Sequence, residues 1–209
     1  MELSIQKYCT ITPLEVGVNG QKLIDIEASD SPDQSLVQTY RNLGIDYLKF
    51  FKMDNLSKLS ILATDCLLKD TELYTITDNN NVAVVLSNAS SSLVTDERYQ
   101  QSINDAKSYF PSPSLFVYTL PNIAIGEICI KYKIYGENIF LISQFFNAQT
   151  LHLHVNELFA KTNTRFCITG WVECTKTSYE AFIMLVVKGK NDNQFDIKTL
   201  KKLYKNKKR

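Results

Sequence analysis

At 209 residues, 44% hydrophobic, 22% charged and 11% aromatic, the chain can fill one or two small cores, and disordered, collagen-like and disulfide-stapled classes are excluded. Its formal charge of +1 conceals a split: residues 188–209 hold nine of the 23 basic residues and two of the 22 acidic ones, a balance of +7 that leaves the first 187 residues at −6. A basic footprint spread over the body is absent, so no nucleic-acid partner is expected.

The N-terminus MELSIQKYC lacks the basic and apolar regions of a secretory leader. A first strand is expected at 7–12, ended by Pro13, whereas 14–46 is poorly patterned. Asp54 can cap an amphipathic helix carrying Leu56, Leu59, Leu62, Cys66 and Leu67 at helical spacing. The run Val82–Leu86 reads as a short buried strand, the Ser/Asn stretch 87–92 as a loop, and Thr95 starts a helix to about Lys107. Residues 111–121 read as extended and bounded by proline. Asn122 can cap a helix at 123–133, in which Gly126 costs about 1 kcal/mol against alanine and so implies a close approach. A buried strand is expected at 138–143, then a helix at 149–161 with Leu151, Val155, Leu158 and Phe159 on its apolar face. Strands at 165–172 and 181–188 precede a final helix at 196–205, acidic at its start and basic at its end. Strands alternating with helices predict an α/β layer, closed by a hairpin. The division expected is a folded unit over 1–190 and a basic helix and tail over 191–209.

The five cysteines, Cys9, Cys66, Cys129, Cys167 and Cys174, form no CxxC pair, and most sit in apolar runs. That pattern predicts reduced, mostly buried thiols and a cytoplasmic protein, and no apolar stretch reaches membrane-spanning length. The sequence contains no HExxH, EF-hand loop, P-loop or GxGxxG. His152 and His154 are two positions apart, which on a helix turns them away from each other, so neither a metal nor a cofactor is expected. Cys167 reads as a small core residue. Cys174 reads as more exposed, but has no recognisable histidine base. The tail KTLKKLYKNKKR is either a solvated helix end or a surface for docking an acidic partner or for weak contact with nucleic acid or an anionic membrane.

The segment SLFVYTLPNIAIGEICIKYKIYG (114–136), followed by ENIFLIS and the helix 149–161, resembles the β-ketoacyl-ACP synthases, condensing enzymes of the thiolase-like class. YLKFFKMDNLSKLSILATDCLL (47–68), VAVVLSNASSSLVTDERYQQSI (82–103) and FCITGWVE (166–173) resemble further family segments in consistent order. The resemblance covers the N-terminal half of the family alone. It implies a single thiolase-like half, with a mixed, mostly parallel five-stranded sheet and helices.

Where the resemblance places the nucleophilic cysteine, this chain has Phe145, or Gln144 if the register slips by one. Neither forms an acyl thioester, and the family's two histidines and lysine belong to a second half. In character the chain is therefore most similar to chain-length-factor-like subunits, where that cysteine is lost. The resemblance implies a homodimer, or a heterodimer with a full-length ketosynthase. Interface or pocket residues would be Phe116, Tyr118, Asn122, Phe140, Gln144, Phe145 and Phe146. A lone half is also expected to expose Leu151, Val155 and Leu158 on helix 149–161. Lys201, Lys202, Lys205, Lys207 and Lys208 are candidate contacts for an acidic acyl carrier protein. The alternatives are a stand-alone pseudoenzyme holding acyl groups or carrier protein, and an acyltransferase with an unrecognised nucleophile.

Overall fold

Seven strands form one sheet: β1 (Leu3–Ile11), β2 (Glu15–Val18), β3 (Gln21–Asp25), β4 (Val82–Asn88), β5 (Asn138–Ile142), β6 (Phe166–Cys174) and β7 (Tyr179–Lys188). The computed structural model describes residues 1–74, 80–105 and 110–206. The order across the sheet is β3-β2-β1-β7-β6-β4-β5. This corrects the mostly parallel five-stranded sheet read from the sequence. Only β4 with β5 and β4 with β6 pair in parallel, and the other four pairings are antiparallel. Two causes account for the difference. β7 turns back at Thr175–Ser178 and inserts between β1 and β6, making antiparallel partners of strands that share a direction. The hairpin β2–β3 adds two more strands within the segment that lacked pattern, and four of the five β3 residues are exposed.

Helices cover both faces. On one lie α1 (Pro32–Asn42), α2 (Asn55–Leu68) and α5 (Ile123–Tyr132), enclosing Val84 and Leu86 of β4 and Ile183 and Leu185 of β7. The intervening residues Ala83, Val85, Phe182 and Met184 point to the other face, against α6 (Ala148–Lys161) and α7 (Ile197–Asn206). This alternation follows from the period of two in a strand, so β4 and β7, covered on both sides, read as unbroken apolar runs. In β1 the parity changes midway. Leu3 and Ile5 face α6 and α7, whereas Cys9 and Ile11 face α2, because the register shifts between Ile5 and Lys7.

α2 is buried along its whole length, and Asp54 caps it by accepting from the Ser57 amide. Its buried Asp65 pairs with Lys131 of α5, whose ammonium burial pulls down to about 8. The expected helix beginning near Thr95 is α3 (Leu93–Ile103), and Lys107 lies outside the described residues. Residues 113–117, expected to be extended, form a short helix α4 (Pro113–Val117) that Ser112 caps. Asn122 stands at the start of α5 but makes no capping bond with its side chain.

The expected exposure of Leu151 and Val155 is also overturned, since they are 1% and 0% exposed. α7 packs beside α6 and puts Leu200 and Leu203 into the same cluster, so the chain supplies its own cover for this face. Burying each leucine stabilises the fold by roughly 1.5–3 kcal/mol. The connection from β7 is pinned to β1. Ile5 donates to the Asn193 carbonyl at 2.8 Å, Phe195 to Leu3 at 2.9 Å, and the Asn191 side chain to Ile5 at 3.0 Å. Among the described residues, no helix is long and apolar enough to cross a membrane.

Candidate functional site at the strand ends

β4, β5 and β6 end together, and the loop leaving β5 carries Gln144, Phe145 and Phe146, three of the residues singled out in the sequence. After β4, Asn88 accepts from the Ser91 amide at 3.0 Å and donates to the Ser91 carbonyl at 2.8 Å, which closes the loop on itself. Glu173 of β6 reaches under this loop, and its Oε2 accepts from the amides of Ala89 and Ser90 at 2.7 and 3.2 Å. Ser92 then donates to the Thr119 carbonyl at 2.6 Å, fastening the segment after α4 against the loop. Phe116 of α4 sits beside the Tyr99 ring, 5.5 Å between centroids, with half of its surface still exposed.

After β5, the Ser143 amide donates to the Asn88 carbonyl at 2.9 Å, and its hydroxyl donates to the Phe145 carbonyl at 2.9 Å. Asn147 starts α6 by accepting from the Thr150 amide at 3.1 Å. Between these ties Gln144 is exposed and Phe145 is 65% exposed, whereas Phe146 turns inward and is 9% exposed. Position 145 thus offers a phenyl ring to solvent, with no atom capable of forming an acyl bond.

The remaining sequence candidates lie apart from this turn. The Tyr118 hydroxyl donates to Glu127 at 2.9 Å, and Phe140 packs half-buried against the cluster on the α2 side. His152 stacks on Phe195 at 5.8 Å between ring centroids. His154 lines an open groove of about 280 Å³ with Glu137, Ile139, Glu157 and Lys161, at the opposite end of β5 from Phe145. Lys201, Lys202 and Lys205 are exposed on α7, while Lys207 and Lys208 lie outside the described residues.

Cys174, read as more exposed, is buried, and burial pushes its thiol up to about 12. Burial also raises the Cys167 thiol. No group of three His, Cys, Asp or Glu residues suited to a metal occurs among the described residues.

Sequence reasoning missed the contrast between the two sheet edges, and the strand expected to be buried at 138–143 is the edge strand β5, with three of its five residues exposed. β3 presents Lys22 and Asp25, joined by an ion pair at 2.8 Å. β5 presents Asn138, Ile139, Phe140, Leu141 and Ile142 with no charged side chain, and Ile142 is 54% exposed. Unpaired backbone along an apolar edge is a template for another strand. The missing charge is legible in the sequence, whereas the edge position comes only from the topology.

No family model and no curated protein matches this sequence. Solved structures do match, at identities that establish the fold alone. The ishigamide ketosynthase/chain length factor aligns over 92% of this chain and 64% of its own, with a TM-score of 0.65 and 14% identity. The ketosynthase ApeO in complex with its chain length factor ApeC, from Xenorhabdus doucetiae, aligns over 90% of this chain and 80% of that one, with a TM-score of 0.58 and 16% identity. AntDE:AntF, a type II polyketide synthase acyl-carrier protein in complex with its ketosynthase bound to the hexaketide, aligns over 89% of this chain and 62% of that one, with a TM-score of 0.58 and 11% identity. This chain therefore spans less than two thirds of the first and third of these. The fold is the thiolase-like fold of condensing enzymes.

Proposed function

We propose that the chain is a noncatalytic ketosynthase-like subunit that pairs with a full-length ketosynthase in fatty-acid, polyene or polyketide-type biosynthesis. It stabilises that partner or shapes its acyl pocket. The uncharged, exposed edge of β5 carries this reading, because its unpaired amides and carbonyls, with Ile139 and Ile142 beside them, suit an incoming strand. Phe145 and Phe116, exposed at the same end of the molecule, supply aromatic surface to the contact. Two of the similar solved structures, by their names, join a ketosynthase with a chain length factor.

Co-expression with a ketosynthase from the same source, followed by size and affinity measurements, tests the pairing. A stable pair is expected, with Ile142→Lys and Phe145→Asp each weakening it by about tenfold or more. A wild-type chain that stays monomeric and leaves the ketosynthase's stability and product lengths unchanged overturns the reading. A homodimer without a ketosynthase rejects it as well.

A second reading, a stand-alone pseudoenzyme that binds acyl carrier protein, draws on Lys201, Lys202 and Lys205 standing exposed along α7. It expects carrier binding without a ketosynthase and a steep loss of affinity as salt rises.

A further inference from the structure

Phe145 and Phe146 are neighbours with opposite environments, and the inward one is held by the C-terminal helix. The Phe146 ring stacks on Tyr204 of α7 with centroids 4.2 Å apart and planes 14° from parallel. Both rings meet Phe182 of β7 edge-on, at 5.6 and 5.7 Å. The Tyr204 hydroxyl donates to Glu180 of β7 at 2.7 Å, which fixes the ring that Phe146 rests on. Tyr204 is therefore oriented from the sheet and from its own helix, and Phe146 is oriented by Tyr204.

We infer that Tyr204 is a positioning residue for Phe145: by clamping Phe146 it fixes the turn between β5 and α6 so that Phe145 projects outward from the end of β5. Phe145 and Phe146 are consecutive in the bend that follows β5 and are 65% and 9% exposed, so holding the Phe146 ring in the aromatic cluster leaves Phe145 on the solvent side of the turn. Ser143 and Asn147 tie the two ends of the turn, and the aromatic stack holds its middle. The functional consequence rests on the reading of Phe145 as a partner contact. The positioning itself does not, and it is measured in the isolated chain.

Hydrogen exchange followed by mass spectrometry reads it directly. The amides of Ser143, Thr150 and Leu151 are hydrogen-bonded around the turn, and that of Val84, bonded to the Glu137 carbonyl at 2.9 Å, serves as a reference in β4. In Tyr204→Leu, exchange at the turn is expected to rise about three- to tenfold relative to β4. In Tyr204→Phe, which keeps the stacked ring but loses the bond to Glu180, the ratio is expected to rise less than in Tyr204→Leu. Leu203→Ala removes a buried side chain from the same helix outside the stack, and is expected to lower the melting temperature while turn and β4 amides move together. A turn unchanged in Tyr204→Leu, or a pattern the same as that of Leu203→Ala, overturns the inference. Phe145→Asp tests the other reading: if pairing with a ketosynthase survives it, Phe145 is not a partner contact, whatever the exchange data show.

Discussion

A methyl group at Gly170 would lie 2.1 Å from the Phe182 carbonyl oxygen, and the residue's φ is +152°, so both space and conformation demand glycine. Gly136 is equally confined, with the Val82 carbonyl oxygen 2.2 Å from an added Cβ. Gly126, which reads in the sequence as permitting a close approach, has open space where its Cβ would be. A helical pattern reports that a glycine interrupts it but not what lies opposite, so the two crowded glycines and the free one look alike before the fold is known. Gly126→Ala is expected to raise unfolding free energy by about 0.5–1 kcal/mol. Gly170→Ala is expected to lower it by about 2 kcal/mol or more. Urea unfolding of the two variants beside the wild type checks both values, and equal effects would contradict the distinction.

At the scale of elements, strong periodicity or a long apolar run was sufficient to locate α2, α6, β4, β6 and β7. The hairpin β2–β3 and helix α1 escaped notice because the hairpin strands are four and five residues long and α1 buries only a narrow stripe including Leu36 and Tyr40. The site divided the same way. That position 145, or 144 if the register slips, holds no nucleophile is legible in the residue type, but the inward turn of Phe146 depends on a partner 58 positions later along the chain, Tyr204. α7 is the clearest case. Its lysines dominate the sequence and suggest a solvated tail, while the spacing of Ile197, Leu200, Leu203 and Tyr204 places an apolar stripe on the sheet. Leu200 is fully buried, so Leu200→Ala is expected to cost about 2–5 kcal/mol, read as a lower midpoint of chemical unfolding. A cost below about 0.5 kcal/mol would mean that the helix is not an integral layer.

The whole molecule carries a titration signature in its buried thiols and phenols. Burial raises Cys129 to about 11 and Cys174 to about 12, against an ordinary value near 9, and raises Cys167 further. Tyr118, Tyr132 and Tyr204 are likewise raised, each chiefly by burial. A group whose proton is held more tightly in the folded chain contributes stability that is complete below its unfolded value and lost as pH climbs through the folded one. Lys131, pulled down to about 8, works in the opposite direction between that value and its ordinary 10.5, as does Cys66, which its hydrogen bond with Cys9 lowers, but these are two groups against several. The midpoint of urea unfolding is therefore expected to fall from pH 9 toward pH 11, with the steepest loss above pH 10. A midpoint that rises across that interval would contradict the assignment of these groups as buried and protonated.

The two borders of the sheet have a consequence for how many molecules an assembly can hold. A sheet open at both ends can recruit neighbours without limit and so grow into a filament. Here one border ends in the Lys22–Asp25 ion pair and the other in bare, uncharged backbone. Among the described residues β5 is the uncharged border of the sheet, so an assembly of the proposed kind, built through it, would use that border up in each chain and terminate at two members.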